Sequence, residues 1–362
     1  MNDHAQEHKS PAPQSPAKSP VASSVETAVQ ITVCVIAYNS GPTLRACLQH
    51  LADQTYRDFE TLVIDNASPD PGDGAIAREF PFVRLIENAE NLGFSGAGNQ
   101  AARLGRGRWF VLLNPDAYAE PDWLEQLVAA AGRHPQVRSF TSRQVMAEDP
   151  THLDGLGDVM SGYGIPYRGG YLAPDPGNTP EGEVFSPCGA AMMIDRELFL
   201  ELGGFDEFFF CYSEDVDLGY RLQLAGEPTV LVPAATIHHV GSASTGGRKS
   251  EFAVFHGTRN RFYVVYKDTP WPLLPIVVPL HLVAVAYISS RRENHPHAHI
   301  VWRAFTESLK GLPTILKSRR QVQKRRRAST AQIARAMTWN PYDLFGRRAV
   351  IRPLRPNRST AP

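Results

Sequence analysis

From Ile31 to Leu113, apolar runs of strand length alternate with helical stretches of about ten residues. That alternation is hard to satisfy with anything except a wound α/β sheet. Ile31 to Ile36 is a continuous apolar run, and Tyr38-Asn39-Ser40-Gly41 after it is turn chemistry. A helix follows with Leu44, Leu48 and Leu51 on one face, then a strand from Glu60 to Ile64. A short helix near Ala75 to Glu79, a strand from Phe82 to Ile86, a Gly-rich turn, another helix and a strand from Arg108 to Leu113 continue the series. Three acidic stations punctuate the chain: Val63-Ile64-Asp65, Leu112-Leu113-Asn114-Pro115-Asp116, and Ser213-Glu214-Asp215. At strand ends or helix starts of an open α/β sheet, such positions can converge on one cleft.

Beyond Asp116 the spacing predicts a helix with Pro121 in its first turn. From Asp154 to Glu183 the character changes, with 12 Gly or Pro among 30 residues. A loop of that length inside a compact domain is expected to be a lid or substrate loop. Next come an apolar run from Cys188 to Ile194, a helix, the aromatic cluster Phe205 to Tyr212, and a helix opening near Ser213 and closing at Gly226. Residues 1–28 are rich in Pro, Ala, Ser and Gln and read as a disordered leader. Residues 29–265 read as the main domain, and 266–362 as an apolar segment with a basic C-terminal tail.

Net charge is zero but unevenly spread. From Arg291 onward lie 17 of the 37 basic residues and only 3 of the 37 acidic ones, which predicts a tail that meets something anionic. The four cysteines are scattered without a C-x-x-C pair, and Cys34 and Cys188 sit in apolar stretches, so buried thiols are expected rather than a zinc or disulfide framework. Met1-Asn2-Asp3-His4 carries neither a basic nor an apolar signal region, so no export signal is expected.

Each acidic station also has a plain structural reading: an Asx turn at Asp65-Asn66-Ala67-Ser68, a β-turn at Asn114-Pro115-Asp116, and acidic residues at a helix N-terminus capped by Ser213. The sequence around them carries more. Val35-Ile36-Ala37-Tyr38-Asn39, Gln54-Thr55-Tyr56 and Glu60 to Ser68 resemble the opening of the family 2 glycosyltransferases, which have the GT-A fold. Asn91 to Asn99, Leu113 to Asp116, and Gly203 to Glu207 running into Glu214-Asp215-Val216-Asp217-Leu218 resemble its rhamnosyltransferase-like subgroup.

The resemblance implies a donor site at Ala37, Tyr38, Asn39, Asp65, Asn66, Gly93, Asn114 and Asp116, with Asp65 on the nucleobase. It implies Asp116 as ligand to a divalent metal, Mg²⁺ or Mn²⁺, on the diphosphate. Asn114 stands where the family has an aspartate and is a neutral ligand, which lowers the expected metal affinity. It implies Asp215 as general base, with Glu214 and Gly189 on the acceptor side. Ile237 to Thr245 resembles the family's late histidine segment, which implies His239 as a metal ligand, with His238 as the fallback. The Gly93, Gly96, Gly98 order is not a dinucleotide fingerprint, and the Q-x-x-R-W signature of processive synthases is absent near the end of this region.

Trp271 to Ser290 is a 20-residue stretch without an ionised side chain, but Pro272, Pro275 and Pro279 are expected to break it. Attachment at the membrane interface is preferred to a span, with Arg291 and Arg292 at its edge. Lys324 to Arg327 suits an anionic leaflet. The expectation is therefore an α/β, GT-A-like, mainly parallel mixed sheet with a C-terminal helical extension. Its partners are a nucleoside diphosphate sugar, a glycan or lipid-linked acceptor and an anionic membrane surface, at the cytoplasmic face of the plasma membrane. Two rivals are a catalytically silent sugar-nucleotide scaffold and a nucleic-acid-binding protein working through the basic tail; no nucleic-acid partner is expected.

Overall fold

The computed structural model describes residues 29–354 except 70–71, 242–249 and 292–294. The expected leader, residues 242–245 of the histidine segment, Arg292 and the end of the basic tail lie outside the described residues.

The wound half runs β1 (Ile31–Ala37), α1 (Pro42–Ala52), β2 (Phe59–Asp65), α2 (Gly72–Arg78), β3 (Val83–Glu87), α3 (Gly93–Leu104) and β4 (Trp109–Leu113). Then come β5 (Ala117–Ala119), α4 (Trp123–Arg133), β6 (Ser139–Met146), β7 (Leu153–Gly155), β8 (Asp158–Met160), β9 (Pro166–Arg168), β10 (Gly182–Val184) and β11 (Ala191–Asp195). The rest is α5 (Arg196–Glu201), α6 (Glu214–Ala225), β12 (Thr229–His239), α7 (Glu251–Asp268), α8 (Leu274–Ser290), α9 (Ala298–Lys310), α10 (Leu312–Lys324), α11 (Thr330–Ala336) and α12 (Pro341–Phe345).

The main sheet has the order β10-β12-β6-β11-β4-β1-β2-β3, with β5 paired to β12 and β7 to β6. β1, β2, β3 and β4 pair in parallel, β11 runs antiparallel between β4 and β6, and β6 pairs in parallel with β12. This is the mainly parallel mixed sheet that the alternation predicts. A strand buried on both faces must be apolar throughout, and β1 is buried at every position. Its Val33 and Val35 face one core with Leu44 and Leu48 of α1 and Leu124 and Leu127 of α4. Cys34 and Ile36 face the other, with Ala97 of α3, Phe199 of α5, and Leu218 and Leu222 of α6. All four cysteines are free, and three are buried.

Four features differ from expectation. Pro121 precedes α4 rather than opening it, because β5 occupies part of the gap after Asp116. β6 and β12 went unread: β12 is interrupted by Pro233, and its register with β6 shifts between Val232 and Thr236, which is where a strand tolerates proline. The Gly- and Pro-rich segment is no loose lid. It carries β7 to β10, and Leu153 to Gly162 is buried throughout. Its glycines permit close contact: a Cβ on Gly155 would stand 2.4 Å from Arg168 Cγ. Finally, Trp271 to Ser290 is not broken. Pro272 and Pro275 lie in first turns, where no N–H is required, and α8 continues through Pro279.

The boundary expected at 265 falls inside α7. The helices beyond it join a shared core, in which Val216 and Tyr220 of α6 meet Val264 of α7, Ile315 of α10 and Ile333 of α11.

Candidate active site

β1, β2 and β4 all end at the same edge of the sheet, and the loops leaving them build one wall of a cleft of about 710 Å³, within the range of small-molecule sites. Tyr38, Asn66, Gly93, Asn114, Asp116, Gly189, Glu214, Asp215 and His239 line it. Of the residues singled out from sequence, Ala37, Asn39 and Asp65 do not.

Ala37 and Asp65 are register partners at the ends of β1 and β2. Asp65 Oδ1 accepts the Ser68 N–H at 3.0 Å, so the Asx-turn geometry is present. Asn39 adopts φ 51° and donates its N–H to Ser68 Oγ at 3.0 Å. Asp73, which the sequence reading passed over, ties these turns together. Its buried carboxylate accepts from Ser40 N and Gly41 N and from Ser68 Oγ, at 2.7 to 2.9 Å. Asn66 is the other hub: its amide donates to Asn91 Oδ1 and Gly93 O and accepts from Leu92 N and Asn88 Nδ2.

The second station is a turn closed by Ala117 N donating to Asn114 O at 3.1 Å. Antiparallel pairing of β5 with β12 sets Ala117 opposite His239, which brings Asp116 beside the imidazole. His239 Nε2 lies 3.3 Å from Asp116 Oδ1, and its Nδ1 lies 2.7 Å from Asp154 Oδ2. All three side chains are buried. Strand alternation turns His238 the other way, onto Glu120 at 2.5 Å. Burial pushes the His239 pKa down, but the bonds to Asp116 and Asp154 outweigh it and hold the imidazole above its ordinary value.

This donor set fits a divalent cation. Asp154 occupies the Nδ1 side of the ring, which leaves Nε2 as the nitrogen facing Asp116, the orientation a metal-bound histidine needs. The carboxylate oxygen suits Mg²⁺ or Mn²⁺, and the imidazole nitrogen favours Mn²⁺, the transition-metal ion of the two. Asn114, whose Nδ2 stands 3.5 Å from His239 Nε2, is the weaker, neutral third candidate.

The third station follows a strained segment. Phe210, Tyr212 and Ser213 all have φ between 65° and 72°, a run costly for side-chain-bearing residues. Ser213 makes no capping bond, contrary to expectation. The strained turn sets Glu214 and Asp215 at the cleft. Asp215 Oδ2 accepts the Gly189 N–H at 2.9 Å, and its Oδ1 accepts the Val216 N–H at 2.8 Å, so the carboxylate is held in one orientation. Glu214 is buried, its Oε2 has no hydrogen-bond partner, and burial together with Asp215 raises its pKa well above the carboxylate range.

Sequence reasoning missed three residues of the site, all from the Gly- and Pro-rich segment: Arg168 in the cleft lining, and Asp154 and Asp158, which contact or face lining residues from outside it. Arg168 lines the cleft and is ion-paired to Asp154. Asp158, Cys188 and Asp215 place ligand atoms within 4.8 Å of one another, and burial followed by the Asp215 charge raises the Asp158 pKa. Their only sequence signal was charge inside a glycine-rich stretch.

A model of glycosyl transferase family 2 matches residues 32–203, and one of glycosyl transferase family group 2 matches residues 177–307. The N-acetylglucosaminyl-diphospho-decaprenol L-rhamnosyltransferase of Mycobacterium tuberculosis is 29% identical over 277 residues, covering 68% of this chain and 87% of the relative. The O-antigen biosynthesis protein RfbC of Myxococcus xanthus is 32% identical over 212 residues, covering 56% of this chain and 16% of its own length. Among solved structures, S. aureus TarS 1–349 superposes with TM-score 0.51 at 14% identity, covering 85% of this chain and 90% of that one. GalNAc-T7, solved with UDP, GalNAc and Mn²⁺, gives 0.52 at 17% identity, covering 74% and 58%. These two establish the GT-A-like fold. With two family models running from residue 32 to residue 307 over that fold, and a rhamnosyltransferase among its relatives, the chain belongs to the family 2 glycosyltransferases.

Proposed function

We propose that the enzyme transfers a single sugar, with inversion, from a nucleoside diphosphate sugar to a hydroxyl of a lipid-linked or cell-envelope glycan. L-rhamnose from dTDP-L-rhamnose is the first candidate donor, supported by the relative whose name carries rhamnosyl transfer to a diphospho-decaprenol glycan. A lipid-linked acceptor would hold the enzyme at the inner face of the plasma membrane.

The observation that carries the reading is the Asp215 carboxylate, fixed by the Gly189 and Val216 N–H groups in the same cleft as the Asp116–His239 pair. In-line displacement at the anomeric carbon requires a base for the acceptor hydroxyl proton. A fixed carboxylate meets that need, for about 10²–10⁴-fold in rate. Burial and the neighbouring Asp215 raise the Glu214 pKa, which makes Glu214 the poorer candidate base of the adjacent pair. Asp116 and His239, with Asn114 beside them, are the residues that would hold Mg²⁺ or Mn²⁺. A divalent cation there supplies charge compensation for the departing diphosphate. Asp65 and the turns gathered by Asp73 and Asn66 would bear the nucleoside, Tyr38 and Gly93 the adjoining part of the donor.

The test is donor hydrolysis across a panel of uridine, thymidine and guanosine diphosphate sugars, with Mg²⁺, Mn²⁺ or a chelator. Slow cleavage of one donor, abolished by the chelator, is the expected result. Cleavage unaffected by the chelator would remove the metal assignment. One observation favours a silent scaffold instead, namely the neutral Asn114 in place of a metal-ligating carboxylate. That reading predicts donor binding without turnover even when an acceptor is supplied.

A further inference from the structure

α8 is apolar on every side, a pattern that belongs to a helix with no face in water. Yet only one of its faces meets the protein. Val277 and His281 are buried, and Ala284, Val285 and Ile288 pack on Ile165, Tyr167 and Leu344. The opposite face is an unbroken apolar stripe at helical spacing: Pro275, Ile276, Pro279, Leu282, Val283, Ala286 and Tyr287 are all exposed. Val283 is 67% exposed, and Trp271, at the start of the segment, 73%. The stripe runs on into α12, where the Phe345 ring meets Tyr287 at 5.7 Å and Tyr342 is 74% exposed. No Asp or Glu lies between Trp271 and Arg291. Exposed arginines flank the face instead: Arg291 at the end of α8, and Arg347 and Arg348 just past α12.

We infer that the outer stripe of α8 and the adjoining face of α12 dock on an anionic lipid bilayer, with α8 lying in the plane of the interface. This deepens the reading above and rests on it, in that a lipid-linked acceptor gives the docking its purpose. A continuous apolar face this long is unusual on a monomer in water. Aromatic residues along it and arginines at its margin match the interfacial layer and the charge of an anionic leaflet. Spanning is opposed by how the helix is held. It is the one described segment long and apolar enough to cross a membrane. However, one face from Val277 to Ile288 is packed on the body, and there His281 Nδ1 bonds Tyr163 O at 3.2 Å. Crossing would tear that face off the hairpin of β8 and β9, or carry the hairpin's polar backbone into hydrocarbon.

The test is flotation of the full chain with vesicles of phosphatidylcholine alone or with phosphatidylglycerol added, on the wild type and on Ile276→Glu/Val283→Glu. Both positions point away from the protein, so the double variant is expected to keep the wild-type unfolding temperature and its donor hydrolysis in vesicle-free solution. The wild type is expected to float with the anionic vesicles, the variant to partition about tenfold less or lower, and alkaline carbonate to release the wild type from cell membranes. Absence of wild-type flotation, or equal flotation of the variant, overturns the docking. Carbonate resistance overturns the in-plane geometry in favour of a span. A wild-type dimer that the variant dissociates, without flotation, assigns the face to a second copy of the chain. Donor hydrolysis without flotation would sink the docking while leaving the transferase standing; flotation without hydrolysis of any donor would do the reverse.

Discussion

At the scale of single residues, the site depends on groups whose partners fix their protonation. Asp154 does not itself line the cleft, yet its contact with Nδ1 of His239 leaves Nε2 as the imidazole nitrogen that faces Asp116. Asp154→Asn is expected to weaken Mn²⁺ binding about 10–100-fold, read by electron paramagnetic resonance titration without substrate. Unchanged affinity would show that His239 needs no such orientation. Glu214 gives a pH signature. Its folded pKa is raised by burial and by Asp215, so below the ordinary carboxylate range its burial carries no charge penalty. The cost grows as pH rises through that range toward the raised value. Glu214→Gln should therefore gain stability relative to the wild type as pH rises above about 4.3, measured as denaturant midpoints against pH. A pH-independent difference would contradict the assignment. Asp65, Asp116, Asp215 and His239 could be singled out in the sequence because local context surrounds each of them. Asp73, Asp154, Asp158 and Arg168 could not, because their roles arise only from segments far apart in the chain.

At the scale of elements, α6 is the piece on which the site turns. Its N-terminus carries Glu214 and Asp215, one face packs on the sheet through Leu218 and Leu222, and the other meets the C-terminal helices through Val216 and Tyr220. A buried ion network fixes it: Asp217 pairs with Arg221 at 2.7 Å and with Lys267 of α7 at 2.6 Å, and Lys267 also reaches Asp206 at 2.7 Å. Lys267→Met removes one partner of a buried pair, and is expected to cost about 3–5 kcal/mol in urea unfolding; a loss below about 1 kcal/mol, the scale of exposed pairs, would show the network to be incidental. Gly93 opens α3 at φ 69°, and a Cβ there would stand 2.4 Å from Phe210 O, in the strained turn before α6. Gly93→Ala is therefore expected to cut activity at least tenfold through that turn, with donor turnover as the readout. Wild-type turnover would argue against the coupling. The early strands were readable because parallel strands buried on both faces are continuous apolar runs. β12 was not, because Pro233 and its bulge hide it, although it delivers His239.

At the scale of the whole molecule, the charge asymmetry takes on a structural meaning. The basic C-terminal region was expected to meet an external anion, and part of its charge is spent internally. Arg319 donates to the carbonyls of Tyr266, Lys267 and Thr269 where α7 ends, and Arg325 donates to Glu201 O at the last residue of α5, both favourable places for a cation. The extension is thus part of the fold. Ending the chain at Lys310 strips Ile315, Ile333 and Met337 from the core behind α6. The shortened protein should lose cooperative thermal unfolding by circular dichroism, and an unchanged transition would show the extension to be dispensable. Composition could reveal the excess of arginine but not its direction, since helix termini and lipid headgroups attract the same side chain.

The role of Asp215 as the base of a glycosyl transfer is tested by measuring donor affinity and donor turnover together on the wild type and on Asp215→Asn, with Mn²⁺ present. Turnover is expected to fall by about 10²–10⁴-fold with donor affinity unchanged, since the substitution keeps the shape of the side chain. Turnover equal to the wild type would contradict it.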